Sequence, residues 1–371
     1  MRACFYLTDH RWSGRARTFA EAARGFGLRG VECTVACTQG DVRAGMTSFG
    51  HEVVGFRAGI GVLRSAWQLG GLLRSRDIDV VFVHHEGEQV VAALGARLAG
   101  RGAVVRRLPA LSAPARGRLA RLAARLVPTA LLFAFEEDRE SATAAMLAGT
   151  LSPFVALPGL GGAPPRPAAT TPHDSADQSG SAPHHSAFRI TVFAGESSQA
   201  RVLPVLRAAA LVVAQGVPVT LQIVGSALDA DALRINAAAL HIGDRTAITP
   251  VADTPGAARA LESTDLVWVV AEADDAIYGI VDAFAAGVAL FTDRSTLSQR
   301  LVPVGGSDCF VPAGEPAVQA AHLMSIATNT ERRRQLASAG RNAFRRWSSM
   351  PMADAFERAA VAVHDAVRQS R

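Results

Sequence analysis

Residues 273–293 read ADDAIYGIVDAFAAGVALFTD. Acids stand first, an apolar run at helical spacing follows, Gly287 stops it, and VALFTD resumes as an aliphatic run short enough for a strand. This is the grammar of a helix entered from a strand end and closed by a glycine before the next buried strand. Asp274 or Asp275 can cap the helix, because anions are favoured at its positive end. Asp282 is harder to place as structure. It follows Asp274 by eight positions, a little over two turns, and is flanked by Val281, Ala283 and Phe284. A buried, unpaired carboxylate is costly, so Asp282 is expected to turn to solvent or to take hydrogen bonds.

Working outward, the strand–helix alternation continues in both directions. Upstream lie the strand RITVFAGE, the helix VLPVLRAAALVVAQG, the strand VTLQIVG, the helix DALRINAAALHIG, then TAITPV, GAARALEST and LVWVVAE. Residues 161–187 are rich in Pro, Ala, Ser, Thr and Gly without a core-forming period and read as a linker or long loop. Before them the rhythm is the same: RACFYL, RARTFAEAARGFGLRG, VECTVACT, HEVVGFR, VLRSAWQLGGLLRSR, DVVFVHH, EQVVAALGARLAGRG and AVVRRL. Two such runs imply an α/β protein of two doubly wound, Rossmann-like parallel-sheet domains facing a cleft at the carboxyl ends of their strands. The expected division is 1–160 for the first domain, 161–187 for the linker and 188–345 for the second domain. A C-terminal helix over 346–371 is expected to return to the first domain.

Composition narrows the class. The chain has 371 residues, 49% hydrophobic and 19% charged, as a globular protein of two ordinary domains should. Net charge is +5, every one of the 38 basic residues is Arg, and aromatics are 6%. An all-Arg basic set reflects base composition better than a nucleic-acid partner, and no stacking surface for nucleic acid is indicated. Cys4, Cys33, Cys37 and Cys309 are scattered and read as reduced thiols. No apolar run spans a bilayer, and MRACFYLTDHRW passes straight into a strand pattern, so a cytoplasmic protein is expected. The triplets Asp77-Ile78-Asp79 and Asp229-Ala230-Asp231 could suggest a metal but read as a turn and a helix cap. No metal and no cofactor are expected.

Several residues can carry chemistry. Gly195 and Glu196 form a turn after a strand and before a helix, a natural phosphate cradle, with Arg201 near its mouth; Arg201 could equally be a solvated residue of a surface helix. Gly225 ends a strand where backbone can approach a ligand closely, or makes a plain turn. Ser13, Gly14 and Arg15 could offer N–H groups to a phosphate or acceptor, or simply start a helix. In RGRLARLAARLVP, Arg118, Arg121 and Arg125 share one stripe, with Leu119, Leu122 and Leu126 beside it. Such a helix can lie on an anionic membrane or can be an ordinary packed helix with a solvated Arg face.

The second half resembles the GT-B glycosyltransferases, in particular retaining family 4. DDAIYGIVDAFAAGVALFTD is similar to that family's Glu-seven residues-Glu helix, with Asp274 and Asp282 in the two acidic places. VFAGESSQAR, LQIVGS and the closing stretch from Asp308 to Ser348 fall in the family's order, and residues 188–360 carry most of the resemblance. Here Glu196 stands where the family has Arg, Arg201 where it has Lys, and Asp at both acidic places.

The resemblance implies the donor-binding set Gly195, Glu196, Arg201, Gly225 and Asp282, with Asp282 on the ribose of the nucleotide. It puts Asp274 beside the donor sugar and His84 or His85, at a strand end, against donor sugar or acceptor. The implied activity is metal-independent, retaining transfer of a sugar from a nucleotide-diphosphate sugar to a sugar or lipid-linked acceptor in glycan or glycolipid synthesis. Peripheral membrane contact through Arg118, Arg121 and Arg125 would suit a lipid acceptor. A degenerate, non-catalytic scaffold in glycan assembly and a nucleotide-sugar epimerase are the competing readings.

Overall fold

The computed structural model describes residues 1–57, 61–112, 118–142, 150–159, 187–195, 199–226, 228–250, 254–302, 307–344, 347 and 349–369. Residues 161–186 of the expected linker, and Glu196, lie outside this set. The chain divides into two compact units, Met1–Gly162 with Ser348–Arg371, and Ala163–Trp347.

The first unit begins β1 (Arg2–Leu7), α1 (Gly14–Gly27), β2 (Glu32–Cys37), α2 (Asp41–Ser48), β3 (Val53–Gly55), α3 (Val62–Ser75), β4 (Val80–Val83) and α4 (Glu86–Ala99). It continues with β5 (Ala103–Arg107), α5 (Arg118–Leu126), β6 (Thr129–Phe133), α6 (Glu136–Ala142) and β7 (Phe154–Val155). The seven strands are all parallel, in the order β3-β2-β1-β4-β5-β6-β7. The order reverses direction at β1 and β4, so these two neighbouring strand ends form the switch point where doubly wound sheets place their ligands. Strands buried on both faces explain the continuous apolar runs of the sequence.

The second unit has β8 (Phe188–Phe193), α7 (Gln199–Ala214), β9 (Val219–Gly225), α8 (Ala230–Ala239), β10 (Thr246–Pro250), α9 (Thr254–Leu261), β11 (Leu266–Val269), α10 (Ala273–Ala286) and β12 (Ala289–Thr292). Then come α11 (Thr296–Leu301), α12 (Pro316–Thr328) and α13 (Thr330–Phe344). Its five parallel strands run β10-β9-β8-β11-β12, with the reversal between β8 and β11.

The last helix, α14 (Ser349–Gln369), belongs to the first unit. Its Phe356 is fully buried beside Phe5, Phe19 and Phe82, and Phe5 stacks on Phe82 at 4.8 Å between ring centroids. Arg29 pins the helix from outside through ion pairs with Asp354 and Glu357. An aromatic knot of this kind, with several rings excluded from water, makes α14 part of the first core.

Three details differ from the sequence reading, and the Asp-X-Asp triplets agree with it. The strand expected in HEVVGFR shortens to Val53–Gly55 at the sheet edge. Helices α2 and α11, of eight and six residues, were not expected, being too short to show a period. In α5 the buried stripe is Ala120, Ala123 and Ala124, while Leu119 and Leu122 are exposed. Both Asp-X-Asp triplets are spent on structure: Asp79 accepts from Arg2 N at 2.9 Å, Asp77 pairs with Arg101, and Asp229 caps α8 by accepting from Ala232 N at 3.0 Å. Among the described residues no group of acids, histidines and cysteines could hold a metal ion, and no helix is long and apolar enough to cross a membrane.

Candidate active site

In the second unit the carboxyl ends of β8, β9 and β11 converge on the amino end of α10. Gly195, just beyond β8, has φ +54°. A Cβ there would lie 2.6 Å from Asp275 Cβ and 2.8 Å from its Oδ2. A Cβ on Gly225, the last residue of β9, would lie 2.9 Å from the Gly195 carbonyl oxygen. Both glycines are therefore required by close approach, and together they bring backbone to the mouth of α10. Entry to that helix is sharp: Ala273 has φ +47°, left-handed backbone that costs an alanine about 1–2 kcal/mol. Strain of this sort persists where surrounding structure enforces it, commonly at binding sites. The Glu272 side chain does not cap the helix.

The acids of the opening stretch are distributed differently from expectation. Asp274, in the first turn, is the buried one, with 2% exposure; Asp282, eight residues deeper, is half-buried. At the mouth Asp274 is buried although Glu272 and Ala273 before it are exposed. Arg201, in the first turn of α7, is held by Glu272, by Asp293 Oδ2 at 3.7 Å and by the Val270 carbonyl at 3.4 Å. It thus spans the ends of β11 and β12 beside the helix mouth.

In the first unit the switch point at β1 and β4 carries a linked set of polar groups. Glu88, buried in the first turn of α4, accepts four hydrogen bonds. Its Oε1 takes Thr8 N at 2.6 Å and Thr8 Oγ1 at 2.8 Å; its Oε2 takes His84 N and His85 N, each at 2.9 Å. One carboxylate therefore clamps the two strand ends and fixes the first residues beyond each strand.

His84 and His85 point to opposite fates, as adjacent extended residues should. His84 is 2% exposed, stacked on Phe19 at 3.7 Å, and its Nε2–H donates to the Arg15 carbonyl at 2.8 Å. Burial first, and then the charges of Arg107, His85 and Arg15, hold it well below the ordinary histidine pKa, so it is neutral. His85 is the open one. Its Nε2 meets Asp9 Oδ1 at 3.0 Å, and Arg15 Nε stands 3.9 Å from Asp9 Oδ2. The hydrogen bond to Asp9 raises the His85 pKa against the opposing effect of burial, helped by the charges of Glu88 and Asp9. Burial works to raise Asp9, yet the hydrogen bond from His85 and the charge of Arg15 leave it below the usual carboxylate range. The result is a hydrogen-bonded pair at the rim of the strand ends, an ion pair when His85 is protonated.

Ser13 is the N-cap of α1, its hydroxyl accepting from Ala16 N at 3.5 Å, and it is buried. Gly14 is buried too, and its carbonyl accepts from Thr18 Oγ1 at 2.8 Å. Arg15 is the member of that turn which reaches the rim. Asp9 and Glu88 were not singled out from the sequence. The signals were present: Thr8-Asp9-His10 directly follows a buried strand, and His85-Glu86-Gly87-Glu88 has the acid at the third helical position of a capping box.

Neither a protein-family profile nor a curated protein sequence matches the chain. Solved structures do resemble it over nearly its whole length. The pneumococcal O-GlcNAc transferase GtfA, in complex with UDP and GlcNAc, superposes with a TM-score of 0.72 at 8% identity, covering 98% of this chain and 99% of its own. A glycosyltransferase from Rickettsia africae gives 0.71 at 9% identity, with 98% of each chain covered. Anabaena Alr3699/HepE, in complex with UDP and glucose, gives 0.70 at 15% identity, covering 98% of this chain and all of the other. The chain has the GT-B fold. At these identities the likeness establishes the architecture, and the chemistry rests on the residues just described.

Proposed function

We propose that this GT-B chain transfers a sugar from a nucleotide-diphosphate sugar to an acceptor hydroxyl, with retention of anomeric configuration and without a metal, in glycan or glycolipid synthesis. The observation that carries the reading is the mouth of α10. Two glycines that admit no Cβ, a strained Ala273 and an N-terminus without a Glu272 side-chain cap present backbone beside Arg201. Such a place suits a diphosphate, since helix N–H groups and a guanidinium together favour a dianion. GtfA and HepE hold UDP with a sugar on the same architecture, which supports a UDP-type donor.

In this scheme the bond between the anomeric carbon and the diphosphate oxygen breaks, the acceptor oxygen takes its place on the same face, and the acceptor proton leaves with the diphosphate. Charge builds on the departing diphosphate, where the α10 mouth and Arg201 stabilise it electrostatically. Asp282 holds the ribose hydroxyls and Asp274 stands by the donor sugar. His85, poised by Asp9, contacts donor sugar or acceptor; buried His84 holds the Arg15 turn. A lipid-linked acceptor would bring the protein to a membrane, and the Arg118, Arg121 and Arg125 stripe of α5 supports that contact. A second reading, a nucleotide-sugar-binding scaffold without turnover, is favoured by one observation: Arg201 already faces Glu272 and Asp293, so an incoming diphosphate must compete with both.

Turnover separates them. With a panel of nucleotide sugars and chelator present, the transferase reading expects nucleoside diphosphate release that falls at least tenfold in Asp282→Ala. Binding without release would leave the scaffold reading; release unchanged in Asp282→Ala would remove the ribose role.

A further inference from the structure

Helices α3, α4 and α5 lie side by side on one face of the first sheet, and their outer surface is both basic and apolar. The first two approach closely: a Cβ on Gly70 of α3 would lie 2.9 Å from the Gly95 carbonyl of α4. The arginines of the three helices are Arg64, Arg74, Arg97, Arg118, Arg121 and Arg125, all exposed. Their acids are two: Glu88, which is buried in the strand-end clamp, and Glu86, half-buried in the first turn of α4. The acidic residues Glu136, Glu137 and Glu140 sit on α6, beyond α5, and bound the basic field on that side.

The same surface is apolar where a solvated basic face should be polar. Leu63 is 77% exposed, Trp67 70%, Leu119 64% and Leu122 55%. In α5 the inward stripe is alanine, so its leucines were not spent on the core. Each helix follows a parallel strand and starts at the sheet's carboxyl edge; Leu63 and Trp67 of α3, and Leu119 and Leu122 of α5, all fall in the starting half of their helices. They therefore lie toward the edge that carries Asp9 and His85. Leucine and tryptophan interleaved with arginine, without acids, is the pattern of a surface that seats at the headgroup level of an anionic bilayer. A single-stranded nucleic acid would ask for several exposed aromatic rings; this face offers Trp67.

We infer that the outer face of α3, α4 and α5 docks on anionic lipid, with Trp67, Leu63, Leu119 and Leu122 entering the headgroup layer and the arginines meeting lipid phosphates. This extends the peripheral-contact reading of α5 and does not depend on sugar transfer. The lipid surface would then hold its headgroups beside the strand ends of the first unit.

The test uses the whole chain with vesicles and no nucleotide. The other tryptophans, Trp12, Trp268 and Trp347, are buried at 6%, 2% and 4% exposure, so a change in emission reports Trp67. Phosphatidylglycerol-rich vesicles are expected to co-sediment the protein and shift its emission to the blue; phosphatidylcholine vesicles are expected to do neither. The triple variant Arg118→Gln, Arg121→Gln, Arg125→Gln should bind roughly a hundredfold more weakly, at about fivefold for each charge near the surface. Binding should weaken with added salt. Trp67→Phe should keep sedimentation and lose the spectral shift, which removes misfolding as an explanation. Equal binding to both vesicle types, binding without a Trp67 shift, or a triple variant of native circular dichroism that binds as well as the parent would each overturn the inference. So would binding to a single-stranded oligonucleotide in preference to the vesicles.

Discussion

Replacing Glu88 by Gln keeps the side-chain shape and removes one acceptor oxygen and the charge, so its cost can be worked from the hydrogen bonds. Four donors converge on the carboxylate: Thr8 N, Thr8 Oγ1, His84 N and His85 N. A glutamine offers one carbonyl and one amide N–H2. Its best orientation turns the carbonyl to the two histidine amides and the N–H2 to Thr8, whose hydroxyl can rotate to accept. That leaves the Thr8 amide without an acceptor, a penalty of about 1–3 kcal/mol, and strips charge assistance from the two remaining amide bonds. The sum is about 2–4 kcal/mol of first-unit stability. Thr8→Val, which removes only the hydroxyl, should cost about 1 kcal/mol. Urea unfolding followed by circular dichroism measures the loss. Amide exchange read by mass spectrometry locates it, since the two units can unfold separately. Exchange should accelerate at Thr8, His84 and His85. A Glu88→Gln protein within about 0.5 kcal/mol of the parent would refute the clamp, because that is the ordinary effect of a surface substitution.

Two further predictions concern the sites. By NMR titration His85 should have a pKa above the ordinary 6.5, and Asp9→Asn should lower it, since the largest raising contribution is lost while burial remains. The raised His85 stabilises the fold fully below pH 6.5 and loses this as pH rises through its folded pKa. The depressed Asp9 contributes above pH 3.8 and loses its share as pH falls through its own, so the pair is most stabilising between those limits. In the second unit, Gly225→Ala would set a methyl 2.9 Å from the Gly195 carbonyl and 3.1 Å from Leu228 Cγ. It should cost about 1–3 kcal/mol and weaken nucleotide binding, while Gly71→Ala, with nothing within 4 Å of its Cβ, should be neutral or stabilising in thermal melts.

The two-sheet architecture was legible because buried parallel strands and their helices leave unmistakable runs such as RACFYL and VTLQIVG. That the chain ends in a helix was legible, but not the Phe356 contacts of α14, which depend on rings from residues 5, 19 and 82. The short α2 and α11 show no period. In the second site Gly195, Gly225 and Arg201 were readable as types, whereas the burial order of Asp274 and Asp282 was not, since the acid inside the apolar run proved the wetter one. Asp9 and Glu88 were missed for a topological reason. They matter only once β4 lies beside β1, bringing together residues 76 to 80 positions apart.

The central claim is that a nucleotide sugar is bound and its sugar moved. Proton NMR of the purified protein with α-linked nucleotide-sugar donors tests it most directly. One donor should be consumed, with release of its nucleoside diphosphate and formation of a product, glycoside or free sugar, that first appears as the α anomer. A product that first appears as β would contradict retention. A full donor panel unchanged after long incubation, with the protein's melting temperature unmoved by any nucleotide, would contradict the assignment of the α10 mouth as the donor site.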